Sequence, residues 1–186
     1  GLVGSEMCIR DRSWNDKIDD CSYSNLWLVS VDGKENRPLT QGRYRDYSPR
    51  WSPDGRKLAY LSNRSGKTQI HVRWMDTGEE AVISDVLKSP RNICWSPDGK
   101  YIAFNMNIAG KPELSFKMPS KPGGARWAKP PIIITRLHWR RDGGGYVKNE
   151  ISHIFVIPST GGSARQITKR EYGSGAPVWT PDGKYI

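Results

Sequence analysis

The sequence predicts an all-β fold made of repeated antiparallel sheets, and two landmarks that recur along the chain carry this prediction. One landmark is the pattern W-x-x-D-G and the other is a short apolar strand; successive copies of both are 44, 44 and 40 residues apart. The tryptophans are Trp51, Trp95, Trp139 and Trp179, and the matching strand residues are Leu26, Ile70, Leu114 and Ile154. Units of roughly 40–45 residues are typical of β-propeller blades. We therefore predict a β-propeller fragment of about four blades, each a four-stranded antiparallel sheet.

Each unit reads as four short strands in a fixed order. An apolar strand such as LWLVSV or IFVIPS ends at a glycine turn, and a partner strand such as ENRPL or SARQI then ends in Leu-Thr or Ile-Thr. Two such runs around a glycine predict a hairpin. The tryptophan strand follows, and a tight turn leads from it into a strand of alternating character such as KLAYLS.

The turn Ser52-Pro53-Asp54-Gly55 has residue types suited to a hairpin tip. Proline fits the second position of a type I turn because its φ is already near −65°, and glycine supplies the positive φ where the strand resumes. We interpret these motifs as structural, with each tryptophan packing between adjacent sheets. The predicted anchors are Trp51, Asp54, Gly55, Trp95, Asp98, Gly99, Trp139, Trp179, Asp182 and Gly183.

Composition excludes several classes of protein. Hydrophobic residues make up 36% of the chain and no run of 18 apolar residues occurs, so we expect neither a disordered chain nor a membrane span. The net charge is +10, and seven cations without any acidic residue lie between Leu114 and Arg141. Such a segment could attract nucleic acid, but no base-reading motif accompanies it. We expect a solvated loop or a surface for acidic substrates instead, and no nucleic-acid partner.

The chain has no recognisable catalytic apparatus. It contains no G-x-S-x-G nucleophile motif, and its three histidines, His71, His138 and His153, have no plausible serine and acid partners. The three cysteines, Cys8, Cys21 and Cys94, lack the spacing of a zinc site. We expect no metal and no cofactor.

The two ends of the chain set the bounds of the predicted propeller. Residues 1–12, GLVGSEMCIRDR, resemble translated sequencing-adapter read-through, so we assign the partial propeller to residues 13–186. The last repeat stops after Lys-Tyr-Ile, within a predicted strand, which leads us to expect a truncated propeller.

One block of sequence points to a family. The third W-x-x-D-G lacks proline and runs into a glycine string, RLHWRRDGGGYVKNEISHIFVIPSTGG. Together with NLWLVSVDGKENRPLT and GSGAPVWTPDGKYI, it resembles the N-terminal propellers of acylaminoacyl-peptidase-like and dipeptidyl-peptidase-like members of the prolyl oligopeptidase family. The resemblance covers about residues 14–186.

The resemblance implies a serine peptidase whose triad lies in a C-terminal α/β-hydrolase domain that this chain lacks. The propeller would then be a non-catalytic lid that admits short peptides. The alternative is a non-enzymatic propeller of the Tol-system kind, which binds protein partners in the periplasm. The compartment stays open between the cytoplasm, which we favour, and the periplasm or the exterior.

Four residues are candidates for substrate binding because they lie where the repeat is broken. Arg140, Arg141, Asp142 and Tyr146 flank the glycine string, and an arginine facing the cavity could pair with a substrate carboxylate. The competing interpretation is that the glycines merely lengthen a loop and that Asp142 caps its turn.

Overall fold

A computed structural model describes residues 6–110, 119–128, 137, 139–142, 145–147 and 149–186. In these ranges every regular element is a β-strand. The strands are β1 (Glu6–Asp16), β2 (Cys21–Ser30), β3 (Asn36–Pro38), β4 (Asp46–Trp51), β5 (Lys57–Ser62), β6 (Gln69–Trp74), β7 (Glu80–Val82), β8 (Arg91–Trp95), β9 (Tyr101–Ala109), β10 (Arg140–Arg141), β11 (Gly145–Tyr146), β12 (Glu150–Pro158) and β13 (Arg165–Gln166).

The strands form three successive sheets and one separate pair. The first sheet has the order β1-β2-β3, the second β4-β5-β6-β7 and the third β8-β9-β12-β13, while β10 pairs only with β11. All pairings between the strands are antiparallel. The predicted all-β propeller fold of repeated antiparallel sheets is confirmed, with three strands rather than four in the described part of the first sheet.

The same side-chain to backbone bond closes the outer hairpin of each sheet. A hydroxyl at the end of the outer strand accepts the amide of the landmark residue in the neighbouring strand at 2.9 Å in all three cases. The donor and acceptor residues are Leu26 and Thr40, Ile70 and Ser84, and Ile154 and Thr168. These bonds identify β2, β6 and β12 as equivalent strands.

The structure differs from the predicted order of strands within a unit. We predicted that each apolar strand shares a unit with the tryptophan strand that follows it, but Trp51 in β4 shares a sheet with Ile70 in β6. In the same way β12, which contains Ile154, pairs along its whole length with β9 of the sheet that Trp95 opens. The predicted strand around Leu114 lies outside the described residues. The third sheet is therefore completed across residues 110–149, which separate β9 from β12.

The third W-x-x-D-G copy lacks the hydroxyl that the other three turns use. The residue after the tryptophan is Ser52, Ser96 or Thr180 in the other copies, and its hydroxyl bonds the aspartate two residues later. At the third copy this position is Arg140. Arginine has no hydroxyl to make this bond, and Trp139 directly precedes the two-stranded pair β10-β11.

The core lies between the sheets. A large apolar cluster joins the second and third sheets, with Leu61, Ile70 and Val72 on one side and Phe104 and Phe155 on the other. The boundary between the first and second sheets holds a smaller cluster of four buried residues, Leu26, Leu39, Leu58 and Tyr60. The chain is therefore held together more extensively at its second boundary than at its first.

The first strand includes part of the segment that we set apart as read-through. The backbone of β1 pairs with β2 from Glu6 to Asp16. Strand pairing depends on the backbone and leaves the origin of the residues open, so the assignment of residues 1–12 stays a prediction. No helix in the described ranges has the length and apolar character needed to cross a bilayer.

Candidate functional site

The W-x-x-D-G turns are stabilised by one small hydrogen-bond network. The Ser52 hydroxyl donates to Asp54 Oδ1, which also accepts the Arg56 amide at 3.1 Å, and the Lys57 amide donates to Ser52 Oγ at 2.8 Å. The Ser52 hydrogen bond, followed by the Arg56 amide, lowers the pKa of Asp54 below its usual value. The same bonds recur around Asp98 and Asp182, and the pKa of each is likewise lowered. The aspartates are thus structural acceptors.

The tryptophans bind one sheet to the next through their indole nitrogens. Trp95 Nε1 donates to the carbonyl of Arg50 at 2.9 Å, and Trp179 Nε1 donates to the carbonyl of Cys94 at 3.4 Å. In both cases the acceptor stands directly before the tryptophan of the preceding sheet. The predicted role of these residues as anchors between sheets thus has a specific geometry.

The four candidate binding residues lie on the small hairpin β10-β11. Arg140 pairs with Tyr146 and Arg141 with Gly145, and the side chains of Arg140, Asp142 and Tyr146 are exposed. For Arg141 the structure describes only the backbone, and Gly143 and Gly144 lie outside the described residues. The structure therefore brings the candidates together on one exposed hairpin, while their role in binding stays a prediction.

An aromatic pair stands beside Arg140 on this hairpin. The rings of Trp139 and Tyr146 are 5.8 Å apart at an angle of 36°, and the Val147 amide donates to the Trp139 carbonyl at 2.8 Å. The two rings remain 43% and 52% exposed. The hairpin therefore presents apolar surface next to a cation.

Residues 110–149 separate β9 from β12 in sequence, and the hairpin belongs to this segment, which we term the excursion. The excursion is closed at its base, where the Gly110 amide donates to the Asn149 carbonyl at 2.8 Å. A Cβ on Gly110 would lie 2.7 Å from Asn149 Oδ1, so a larger residue here would require the Asn149 side chain to move. The Gly110–Asn149 bond thus continues the β9-β12 pairing to the base of the excursion.

A shallow cavity of about 470 Å³ separates the turns of the second and third sheets. Its lining includes Asp54, Lys57, Asp98 and Lys100, so charges of both signs face it. Because both carboxylates are already engaged by the hydroxyls of their own turns, this cavity is a weaker candidate for substrate binding than the hairpin.

The described histidines have structural surroundings. His71 is 4% exposed and stacks on Tyr60 with ring centroids 5.4 Å apart, and its Nε2 has no partner among the described residues. Burial, followed by the nearby Arg64 guanidinium, lowers the pKa of His71. His153 Nδ1 lies 3.2 Å from Thr168 Oγ1, and His138 falls outside the described residues. Neither described histidine is poised as a general base.

Sequence reasoning missed a buried ionic network in the second sheet. Asp46 is fully buried and accepts a 2.5 Å bond from Arg64, which also lies 3.4 Å from Glu80. Arg73 donates to the same Glu80 at 2.6 Å. These residues come from β4, β6, β7 and the loop after β5, so no local pattern in the sequence could reveal them.

Two strained residues at equivalent positions were also missed. Ser48 in β4 and Asn92 in β8 have φ values of 54° and 51°, and each lies at a register shift in its strand. Both stand three residues before the tryptophan. Bulges bend and re-aim strands, so this repeated bulge shapes the tryptophan strands of the second and third sheets.

In the part of the chain that the structure describes, no three His, Cys, Asp or Glu side chains are grouped to hold a metal ion.

Successive four-stranded sheets, joined by tryptophans and hydroxyl-aspartate turns, define a β-propeller. The family model described as the TolB beta propeller domain matches residues 14–186, and the chain belongs to this family.

Similar proteins include both peptidases and Tol-system proteins. The chain is 27% identical over 168 residues to an uncharacterized peptidase, YuxL, of Bacillus subtilis. The aligned region is 90% of this chain and 25% of that protein. Among solved structures, acylaminoacyl peptidase of Pyrococcus horikoshii has a TM-score of 0.61 at 17% identity, covering 92% of this chain and 24% of that one. A putative TolB of Agrobacterium tumefaciens has a TM-score of 0.57 at 19% identity, covering 94% and 51%.

These comparisons confirm the predicted resemblance to peptidase-family propellers. The chain is a propeller related to those of peptidases and to TolB. It spans only a quarter of the length of its Bacillus relative.

Proposed function

We propose that the chain is the non-catalytic propeller of a serine exopeptidase that cleaves short peptides. The propeller limits entry to a chamber that it shares with an α/β-hydrolase domain of the same polypeptide. The observation that carries this proposal is the similarity to the Bacillus peptidase, which extends over 90% of this chain but only 25% of that protein. The remaining length of that relative is ample for a catalytic domain.

The hairpin β10-β11 supplies the residues that meet the peptide. The Arg140 guanidinium can form a bidentate pair with a carboxylate, and the half-exposed rings of Trp139 and Tyr146 offer an apolar surface beside it. In this proposal Arg140 binds the C-terminal carboxylate of a short peptide, and Asp142 and Tyr146 complete the surface.

The test uses the full-length enzyme with two matched substrates, a short acyl-peptide that ends in a free carboxylate and the same peptide ending in an amide. Hydrogen bonds to charged groups contribute about 1.5–3 kcal/mol. Arg140→Ala should therefore lower kcat/KM for the acid by about 10- to 150-fold and leave the amide nearly unchanged. Arg170→Ala is the control, because Arg170 is another exposed arginine beside an aromatic ring, that of Tyr172. Equal kcat/KM values for wild type and Arg140→Ala on the acid would contradict the role of this residue.

The peptidase assignment has its own test in the gene. The reading frame that continues after Ile186 should add blades and then encode G-x-S-x-G, with the aspartate and histidine of the triad further on. A frame that closes after more W-x-x-D-G repeats, without that motif, refutes the assignment.

The second candidate function is a Tol-like propeller that binds protein partners without catalysis. The match to the TolB propeller family favours it. In that case the gene encodes a signal peptide upstream, and the hairpin β10-β11 is part of a partner surface. Substitutions at Arg140 and Tyr146 would then weaken capture of that partner.

A further inference from the structure

The cavity between the turns of the second and third sheets is lined by a residue that differs from its equivalent one sheet earlier. Ser159 directly follows β12, and its amide donates to the Lys100 carbonyl at 2.8 Å. In the second sheet the corresponding amide is that of Met75, which directly follows β6 and donates to the Arg56 carbonyl at 2.9 Å. Ser159 and Met75 therefore occupy equivalent positions of successive sheets.

The side chains at these two positions fill different volumes. Met75 packs against the apolar cluster at the boundary of the first and second sheets, which includes Leu58 and Tyr60. Ser159 stands at the same position of the next boundary, and its short side chain leaves the corresponding space open. The cavity of about 470 Å³ lies there. A smaller residue at one position of the repeat thus accounts for this space.

The Ser159 hydroxyl is available to a molecule in the cavity. The residue is 3% exposed, and within the described ranges its Oγ has no hydrogen-bond partner. Ser52, the other buried serine of the lining, already bonds Asp54 and the Lys57 carbonyl. Because buried polar groups are normally hydrogen-bonded, Ser159 Oγ marks a point where the cavity can hold a polar ligand.

Charges of both signs surround this hydroxyl. Lys57 Nζ lies 5.7 Å from the centroid of the Trp74 ring, and Lys100 Nζ lies 3.8 Å from Asp98 Oδ2. Asp54 and Asp98 bond their own turns through Oδ1, so the Oδ2 atoms take no part in the turn hydrogen bonds. Two cations and two anions balance each other. The lining therefore suits a zwitterion better than a simple anion or cation.

The lining also has an apolar part, and its size is that of a ligand site. Tyr101, which is 43% exposed, and Pro158 both contribute to it. Small-molecule sites typically measure about 300–1,000 Å³ and combine apolar surface with a few polar groups. The cavity meets both conditions.

We propose that this cavity binds a free α-amino acid with an apolar side chain. The ammonium group of the ligand pairs with the two turn aspartates, and its carboxylate pairs with the two lysines. Ser159 Oγ donates a hydrogen bond to that carboxylate, and the ligand side chain packs on Tyr101.

The proposed amino-acid site uses none of the residues of the hairpin β10-β11. The cavity lies where Tyr101 pairs with Pro158, whereas the excursion that carries the hairpin leaves the sheet where Ala109 pairs with Glu150. The nine residues of each strand amount to about 30 Å at about 3.4 Å per residue. The proposal therefore goes beyond the peptidase function, and either one can fail without the other.

Saturation-transfer NMR of the full-length protein with four probes tests the charge pattern. Leucine, N-acetyl-leucine, leucinamide and N-acetyl-leucinamide share one side chain and carry both charges, only the negative, only the positive, or neither. Because exposed ion pairs are weak, we expect leucine to bind with a millimolar Kd, and blocking one end should raise that Kd by about 1.5- to 5-fold. Blocking both ends should raise it by about 2- to 25-fold. Equal Kd values for all four probes, or no binding of leucine, overturn the proposal.

Two substitutions at Ser159 locate the site. Ser159→Met should fill the cavity and abolish leucine binding, with a Tm at or above that of wild type, because the second sheet accommodates Met75 at the equivalent position. Ser89→Met is the matched control, since Ser89 is an exposed serine between β7 and β8, and it should bind leucine like wild type.

Ser159→Ala keeps the cavity open and removes only the hydroxyl, so it tests the site even if the methionine variant does not fold. We expect it to raise the Kd of leucine by about 2- to 10-fold. An unchanged Kd in either folded Ser159 variant overturns the proposal.

Discussion

Single side chains at equivalent positions of successive sheets stabilise the turns of this propeller. The hydroxyl of Ser52 or Ser96 ties an aspartate carboxylate to the turn that follows each tryptophan strand. The same device appears in the turn between β2 and β3, where Ser30 bonds Asp32 and accepts the amide of Glu35. The sequence pattern that predicts this turn is thus S/T-x-D-G, in which the hydroxyl of the first residue is essential.

Trp95 is the residue whose loss should cost the most stability. It is 7% exposed, belongs to the main apolar cluster and bonds the neighbouring sheet. We expect Trp95→Ala to lower the free energy of unfolding by about 3–5 kcal/mol. Trp95→Phe should cost less, because most of the ring remains. Urea unfolding gives both values, and Trp14→Ala, at a ring that is 40% exposed, is the control. Equal effects of the two alanine variants would contradict the anchoring role.

Protonation of His71 should destabilise the chain in mildly acidic solution. Burial and the Arg64 charge lower the pKa of His71 in the folded state below its ordinary value of 6.5. The unfolded chain therefore takes up the proton first as the pH falls. The stability contributed by neutral His71 is complete above pH 6.5 and decreases as the pH drops toward the folded pKa.

Urea unfolding between about pH 8 and pH 5.5 measures this effect, since the carboxylates mostly titrate below that window. His71→Gln removes the titrating group and should flatten the pH dependence. If wild type and His71→Gln lose stability in parallel over this range, the assignment to His71 is wrong.

At the scale of elements, a strand joins the sheet whose edge it can pair with, whatever its distance in sequence. Residues 110–149 separate β9 from β12, yet these two strands pair without interruption from Glu150–Ala109 to Pro158–Tyr101. The bond between Gly110 and Asn149 closes the excursion at its base. The third sheet should therefore tolerate large changes in the excursion.

Replacing residues 111–148 with a four-residue Gly-Ser turn tests this independence. Each halving of a closed loop returns about 0.6 kcal/mol, so we expect the free energy of unfolding to stay equal or to rise by about 2 kcal/mol. Thermal melting of the shortened chain and of wild type gives the comparison, and the same replacement in the full-length enzyme should abolish the Arg140-dependent preference for a free carboxylate. A large loss of stability would mean that the excursion is part of the sheet's own packing.

At the scale of the whole molecule, the two boundaries between sheets differ in kind. The boundary of the second and third sheets is one continuous apolar cluster. The boundary of the first and second sheets has a smaller apolar cluster beside Asp46, Arg64 and Glu80. Near it lies the buried His71 Nε2, which has no hydrogen-bond partner among the described residues. Burying unpaired polar groups costs free energy, so this boundary should be the weaker one.

Native-state hydrogen exchange should resolve the two boundaries. We expect the amides of β5, β6 and β9 to exchange only by global unfolding, while those of β2 exchange through a lower-energy opening. Protection of β2 equal to that of β9 would contradict this order.

The sequence by itself determined the parts that rest on short-range interactions. The tight turns depend on residues within five positions of each other, and the alternating strands depend on a period of two. Both could therefore be predicted from the sequence, and together they indicated a β-propeller. The segment that carries Arg140 and Tyr146 was singled out because it breaks the local pattern, and its role in binding stays a prediction.

Only the tertiary structure decided which strands share a sheet. W-x-x-D-G at Trp139 matched the repeat in letters, but β12 pairs with β9 across residues 110–149. The ionic network around Asp46 likewise depends on contacts between distant strands. Such pairings are selected by the burial and hydrogen bonding of the whole sheet, which no single stretch of sequence contains.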